Sequence, residues 1–139
     1  MNYTRRELGL ILPALAAAQE KEKPMLPSKI YHYRDLPVKT SGENQSRAVF
    51  DGVNHSEIPF ELHMTQLGPG MAPHPPHHHV HEECVMLKSG SLEVTISGNT
   101  TRVEAGSIIY VASGEEHGWK NPGTVPAEYF VIALGKKGT

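Results

Sequence analysis

The stretch Leu92-Glu93-Val94-Thr95-Ile96-Ser97-Gly98-Asn99-Thr100-Thr101-Arg102-Val103 decides the fold class. Leu92 to Ile96 alternates apolar and polar side chains, the pattern of a strand with one dry and one wet face. Ser97-Gly98-Asn99 supplies the turn that folds it back onto Thr100 to Val103 as a hairpin. Outward from this hairpin the same texture continues, with further short extended stretches predicted at Ile30 to Arg34, Ser46 to Phe50, Pro59 to Leu67, His77 to Leu87, Ser107 to Val111, His117 to Lys120 and Ala127 to Leu134. Turn signals fall between them at Gly52, Gly68-Pro69-Gly70, Ser89-Gly90, Ala105-Gly106, Ser113-Gly114 and Asn121-Pro122-Gly123. Many short strands at such spacing predict an all-β sandwich or barrel.

With 139 residues the chain suits one domain with one core. Thirteen Lys and Arg against fifteen Asp and Glu leave a net charge of -2, so neither nucleic acid nor an anionic membrane is an expected partner. Cys84 is the only cysteine, which excludes an intramolecular disulfide and leaves the fold to packing.

The first eighteen residues read as an address. Arg5-Arg6 precedes an apolar run from Leu8 to Ala18 that ends in Ala16-Ala17-Ala18, an A-x-A cleavage site, and the run is too short to span a bilayer. Thr4-Arg5-Arg6-Glu7-Leu8-Gly9-Leu10 resembles the twin-arginine export signal of bacteria. The expectation is therefore an export signal over residues 1–18, a flexible tether over 19–29 and a single barrel over 30–139, in a periplasmic or secreted protein without a stable membrane anchor. Small jelly rolls often protect an outer sheet edge by pairing, so a homodimer is also expected.

Nine His in the chain, five of them between His74 and His81, point to metal. In His77-His78-His79-Val80-His81-Glu82-Glu83, read as a strand, His77 and His79 face one side and His78 the other. Glu83, four residues beyond His79, returns to their face. Two imidazoles and a carboxylate suit a divalent first-row ion: Fe, Mn, Ni, Cu or Zn. His81 shares this parity. Downstream, Gly106, Gly114, His117 and Asn121 fall on a strand, turn and strand that can return one more imidazole across the barrel.

These two segments resemble the paired motifs of the cupin superfamily. His77-x-His79-x(3)-Glu83-x(6)-Gly90 is similar to the first, and Gly106-x(7)-Gly114-x(2)-His117-x(3)-Asn121 to the second. Two departures are visible: Gly70 stands one residue before the glycine that usually opens the first motif, and Ala112 stands where the second has proline. The resemblance implies a double-stranded β-helix, the jelly-roll barrel of a small single-domain cupin. It also implies that His77, His79, Glu83 and His117 hold one divalent metal ion, with positions left to water or substrate.

Around that site, Trp119 shares the parity of His117 and is expected to wall the pocket or pack the core, while Gln66, Tyr110 and Met86 are candidate lining residues. His78 and Glu82 are expected to face solvent or to stand behind the ligands, His81 to have the right parity but the wrong spacing for the motif, His74 to lie in a proline loop at the barrel mouth, and Cys84 to point away from the metal as a small buried hydrophobe. Three His and one Glu with open positions suit a metal-dependent oxidoreductase of dioxygenase type acting on a small organic molecule, with Glu83 either a ligand throughout or a detachable base. The competing expectations are a non-catalytic module that binds or senses a metal or small ligand, and a metal-dependent isomerase or lyase. Fold alone does not choose among them.

Overall fold

The computed structural model describes residues 22–138. The expected leader, residues 1–18, lies outside them. Among the described residues nine strands form in the order β1 Val38–Ser41, β2 Asn44–Val53, β3 Pro59–Leu67, β4 Glu82–Ser89, β5 Ser91–Ile96, β6 Asn99–Glu104, β7 Ile108–Val111, β8 His117–Lys120 and β9 Ala127–Leu134, preceded by one 3-10 turn at Tyr33–Asp35. They make two sheets, a larger one ordered β1-β2-β3-β9-β4-β7 and a smaller one ordered β6-β5-β8, with every strand pair antiparallel. The predicted all-β jelly roll is thus the observed architecture.

The core lies where the small sheet covers the β9-β4-β7 half of the large one. Leu92 and Val94 of β5 and Trp119 of β8 close onto Val85, Leu87, Ile109, Val111, Tyr129 and Val131. β9 shows the rule most plainly: Ala127, Tyr129, Val131 and Ala133 are buried, while each residue between them is only partly so. Each fully buried aliphatic or aromatic side chain of this layer contributes about 1.5–3 kcal/mol, and these contacts hold the sheets face to face. The β5–β6 hairpin pairs Leu92 with Val103 and Ile96 with Asn99, as its alternation requires.

The N-terminal part departs from expectation. Ile30 to Arg34 is not a strand: the Asp35 N–H donates to the His32 carbonyl at 2.9 Å, which closes the 3-10 turn, and Tyr31 turns its ring toward Phe50, centroids 5.7 Å apart. The first strand is instead Val38–Ser41, reversed onto β2 by Gly42-Glu43, with Gly42 in the left-handed region at φ 58. The described part of the expected tether is also fastened. Val53 N–H donates to the Pro24 carbonyl and Leu26 N–H to the Val53 carbonyl, both at 2.9 Å, because β1 stops short of this end of β2 and leaves its edge unpaired.

Candidate metal centre

The histidine tract is not a strand through its length, as predicted from His77 onward. β4 begins only at Glu82, and His77 to His81 form an irregular approach to it. What aligns His77 is a single antiparallel bridge to His117, the first residue of β8, in which each backbone N–H donates to the other's carbonyl, at 2.9 and 2.8 Å. Directly opposed residues of such a bridge project side chains to one face.

Three features steer the chain there. Asn121, fully buried at the end of β8, donates through Nδ2 to the carbonyls of Leu67 (3.1 Å) and Val125 (2.7 Å) and accepts from the Gly123 N–H (2.9 Å). Its backbone binds the incoming loop as well: Gly70 N–H donates to the Asn121 carbonyl at 2.8 Å, and Asn121 N–H to that of Met71 at 2.9 Å. Pro76 then presses on Gly118, where a Cβ would come within 3.1 Å of the proline ring. Finally Gly114, at φ 79, donates its N–H to the His79 carbonyl at 2.8 Å. The turn containing Gly114 closes without the usual proline, since Glu115 N–H still reaches the Ala112 carbonyl at 3.3 Å.

The rings of His77, His79 and His117 meet with centroids 4.7 to 5.0 Å apart and planes at 65 to 76°. Their tautomers are set from behind. His79 Nδ1–H donates to the His81 carbonyl at 2.7 Å and His117 Nδ1–H to the Glu115 carbonyl at 2.8 Å, so both rings present a bare Nε2 to the centre. Glu83 brings Oε1 to 3.3 Å from His79 Nε2 and Oε2 to 3.4 Å from His117 Nε2. His77 Nε2, His79 Nε2, His117 Nε2 and Glu83 Oε2 are all buried without a hydrogen-bond partner. A buried polar atom left in that state costs roughly 2–7 kcal/mol, so four converging ones form an arrangement that a divalent cation would relieve at once. Burial first, and then the neighbouring imidazoles His74, His117 and His79, lower the His77 pKa to about 4, which keeps the ring neutral and its lone pair free at neutral pH. The nitrogen-rich donor set fits a first-row ion. This His/Glu cluster could hold a metal ion.

The other expected residues divide. His78 is exposed and His74, also exposed, lies with its ring 4.0 Å from that of His77. Trp119 both packs and walls: it is buried, donates from Nε1 to the Tyr129 hydroxyl at 2.9 Å, and stacks on His117 with centroids 5.7 Å apart. Tyr110 does not line the cavity. Its neighbours Ile109 and Val111 take the inward face of β7, leaving Tyr110 exposed and donating to Glu82 Oε1 at 2.6 Å. Gln66 is turned outward for the same reason, since Leu67 fills the core, and Met86 is turned outward between Val85 and Leu87. Cys84 stands on that outer face and is only partly buried.

Two groups escaped the sequence reading. His81 is not outside the centre: its Nε2 lies 3.3 Å from Glu83 Oε1 and its ring is stacked on that of His79. Shared parity with His79 was the available signal. The second group is a His63–Glu61 couple on the inward face of β3, Nδ1–H donating to Oε1 at 2.8 Å. Ala133 pairs with Glu61 on one side and Glu83 on the other, so the couple stands two strands from Glu83, about 10 Å away at the usual strand spacing. His63 lines, with Lys39, Ser46, Ala48, Thr65 and Pro37, a cavity of about 280 Å³. Only an x-His-x alternation within β3 marked it in sequence.

Residues 63–133, from within β3 to near the end of β9, match the model of the cupin domain family. The chain belongs to that family. Its fold is similar to that of an RmlC-like cupin from Shewanella frigidimarina, at 15% identity and a TM-score of 0.66 over 79% of this chain and 93% of that one. It is similar also to the polyketide cyclase RemF from Streptomyces resistomycificus, at 21% identity and a TM-score of 0.65 over 81% and 83% of the two chains. A predicted oxalate decarboxylase from Thermotoga maritima gives 15% and 0.66 over 78% and 100%. No curated relative matches the sequence.

Proposed function

We propose that this cupin is a metal-dependent oxidoreductase of dioxygenase type that acts on a small polar organic molecule. The observation that carries the reading is the convergence of three imidazole Nε2 atoms and one carboxylate oxygen, all buried without partners. A redox-active divalent ion held by His77, His79, His117 and Glu83 would supply sites for substrate and dioxygen side by side. Trp119, stacked on His117, fixes that ring and excludes water behind it. Lys39 and His63, lining the cavity on the same inward face of the large sheet, favour a substrate that bears oxygen or negative charge. They also favour an enzyme over a passive metal-holding module, since Glu61 holds His63 in one tautomer with Nε2 directed away from the carboxylate.

The same couple supports a second reading, a metal-dependent isomerase or lyase in which His63 moves the proton. The neighbours in fold include a polyketide cyclase, whose name describes that protein and not this one. Oxygen consumption separates the readings. Protein loaded with Fe, Mn, Ni or Cu is incubated with small phenols, diketones and hydroxy acids; uptake of oxygen coupled to substrate loss supports the dioxygenase, and undiminished turnover without oxygen supports the isomerase or lyase. No turnover under either condition would leave the binding module.

A further inference from the structure

Glu83 has one oxygen for each of two histidine groups. Oε2 faces His117, whereas Oε1 lies 3.3 Å from both His79 Nε2 and His81 Nε2. The His79 and His81 rings stack in parallel, centroids 3.6 Å apart and planes 8° from each other, so that both edges reach the same carboxylate oxygen. The ligand atoms of His79, His81 and Glu83 all lie within 4.8 Å of one another, as do those of His77, His79 and His117. The His81 side chain is only 15% exposed, and its Nδ1 is buried without a partner.

We propose that His79, His81 and Glu83 form a second ion position, alternative to the one built from His77, His79, His117 and Glu83. This inference rests on the metal-binding reading of the cluster. The two positions exclude each other because His79 has one donor atom to give: its Nδ1–H is committed to the His81 carbonyl, leaving Nε2 alone. One ion per chain therefore has two places, with His79 and Glu83 common to both. His81 reaches the ion through Nε2, and the hydrogen this atom now directs at Glu83 has a place to go, the bare Nδ1 of the same ring. Two imidazoles and a carboxylate suit a divalent first-row ion, and Cu²⁺ binds such a set most tightly.

The test uses the full chain without a histidine tag and Cu²⁺ alone as probe. The double variant His77→Ala with His117→Ala is expected to keep one ion per chain at an affinity at least about tenfold weaker than wild type, and adding His81→Ala to lose it. Wild type that binds copper while a folded double variant binds none overturns the second position and leaves the metal centre standing. Wild type that binds none overturns both. Electron paramagnetic resonance of copper-loaded protein needs only the mildest variant: two copper signals in wild type and one in His81→Ala are expected, and identical single signals in both overturn the proposal.

Discussion

The backbones of His77 and His117 are locked to each other by two reciprocal hydrogen bonds of 2.9 and 2.8 Å, although His77 lies outside any strand and meets β8 at this one bridge. This bridge joins the loop before β4, on the large sheet, to β8 on the small one. It makes the candidate centre a junction between sheets, so the ligands hold the fold as the fold holds them.

Substitution of His79 should therefore be the most damaging to metal retention. His79→Ala is expected to remove stoichiometric binding, because its Nε2 serves every ligand set in the cluster. Isothermal titration and thermal unfolding check this together. Free metal at a hundredfold its dissociation constant should stabilise wild type by about 2.7 kcal/mol and leave His79→Ala unchanged.

The pH dependence of the metal-stripped protein follows from His77. Its pKa in the folded chain is about 4 against an ordinary 6.5, so between these values the unfolded chain binds the proton and the folded chain does not. Protons then favour unfolding, and stability is lost as pH falls from about 6.5 toward 4. Chemical denaturation at several pH values should show this slope, and His77→Ala should flatten it.

Asn121 is expected to matter for stability well beyond its size. Asn121→Ala strands the carbonyls of Leu67 and Val125 and the Gly123 N–H in the interior. The cost should be about 2–4 kcal/mol, with a melting temperature lower by on the order of 10 °C. Differential scanning calorimetry measures it directly.

Gly118→Ala should do the opposite, sparing the fold while disturbing the site. The new methyl would sit 3.1 to 3.3 Å from Pro76, which must yield by a few tenths of an ångström and carry His77 with it. Metal affinity is expected to drop about tenfold, with little change in the melting temperature of the metal-free protein.

Much of this was legible in sequence, and the reasons differ by region. The Leu92–Val103 hairpin could be read because its alternation and its turn agree, and Pro59–Leu67, His117–Lys120 and Ala127–Leu134 kept their predicted bounds. His77, His79, Glu83 and His117 could be grouped in advance because cupin spacing encodes a geometry that local pattern does not: His77 is brought to the cluster through the bridge to His117, not through strand pleating. Tyr110 and Gln66 were misplaced because facing depends on which neighbour enters the core, and Ile109 and Leu67 claimed that side. His81 was set aside on spacing alone, yet the approach to β4 bends so that it stacks on His79. The Glu61–His63 couple becomes visible only once Ala133 is known to lie between β3 and β4.

Elemental analysis by mass spectrometry tests the central claim most directly, on protein expressed with its own N-terminal segment and purified without chelators or a histidine tag. The expected result is close to one first-row transition metal ion per chain, lost in His79→Ala. Absence of metal from wild type even after reconstitution with Fe, Mn, Ni, Cu and Zn would contradict it.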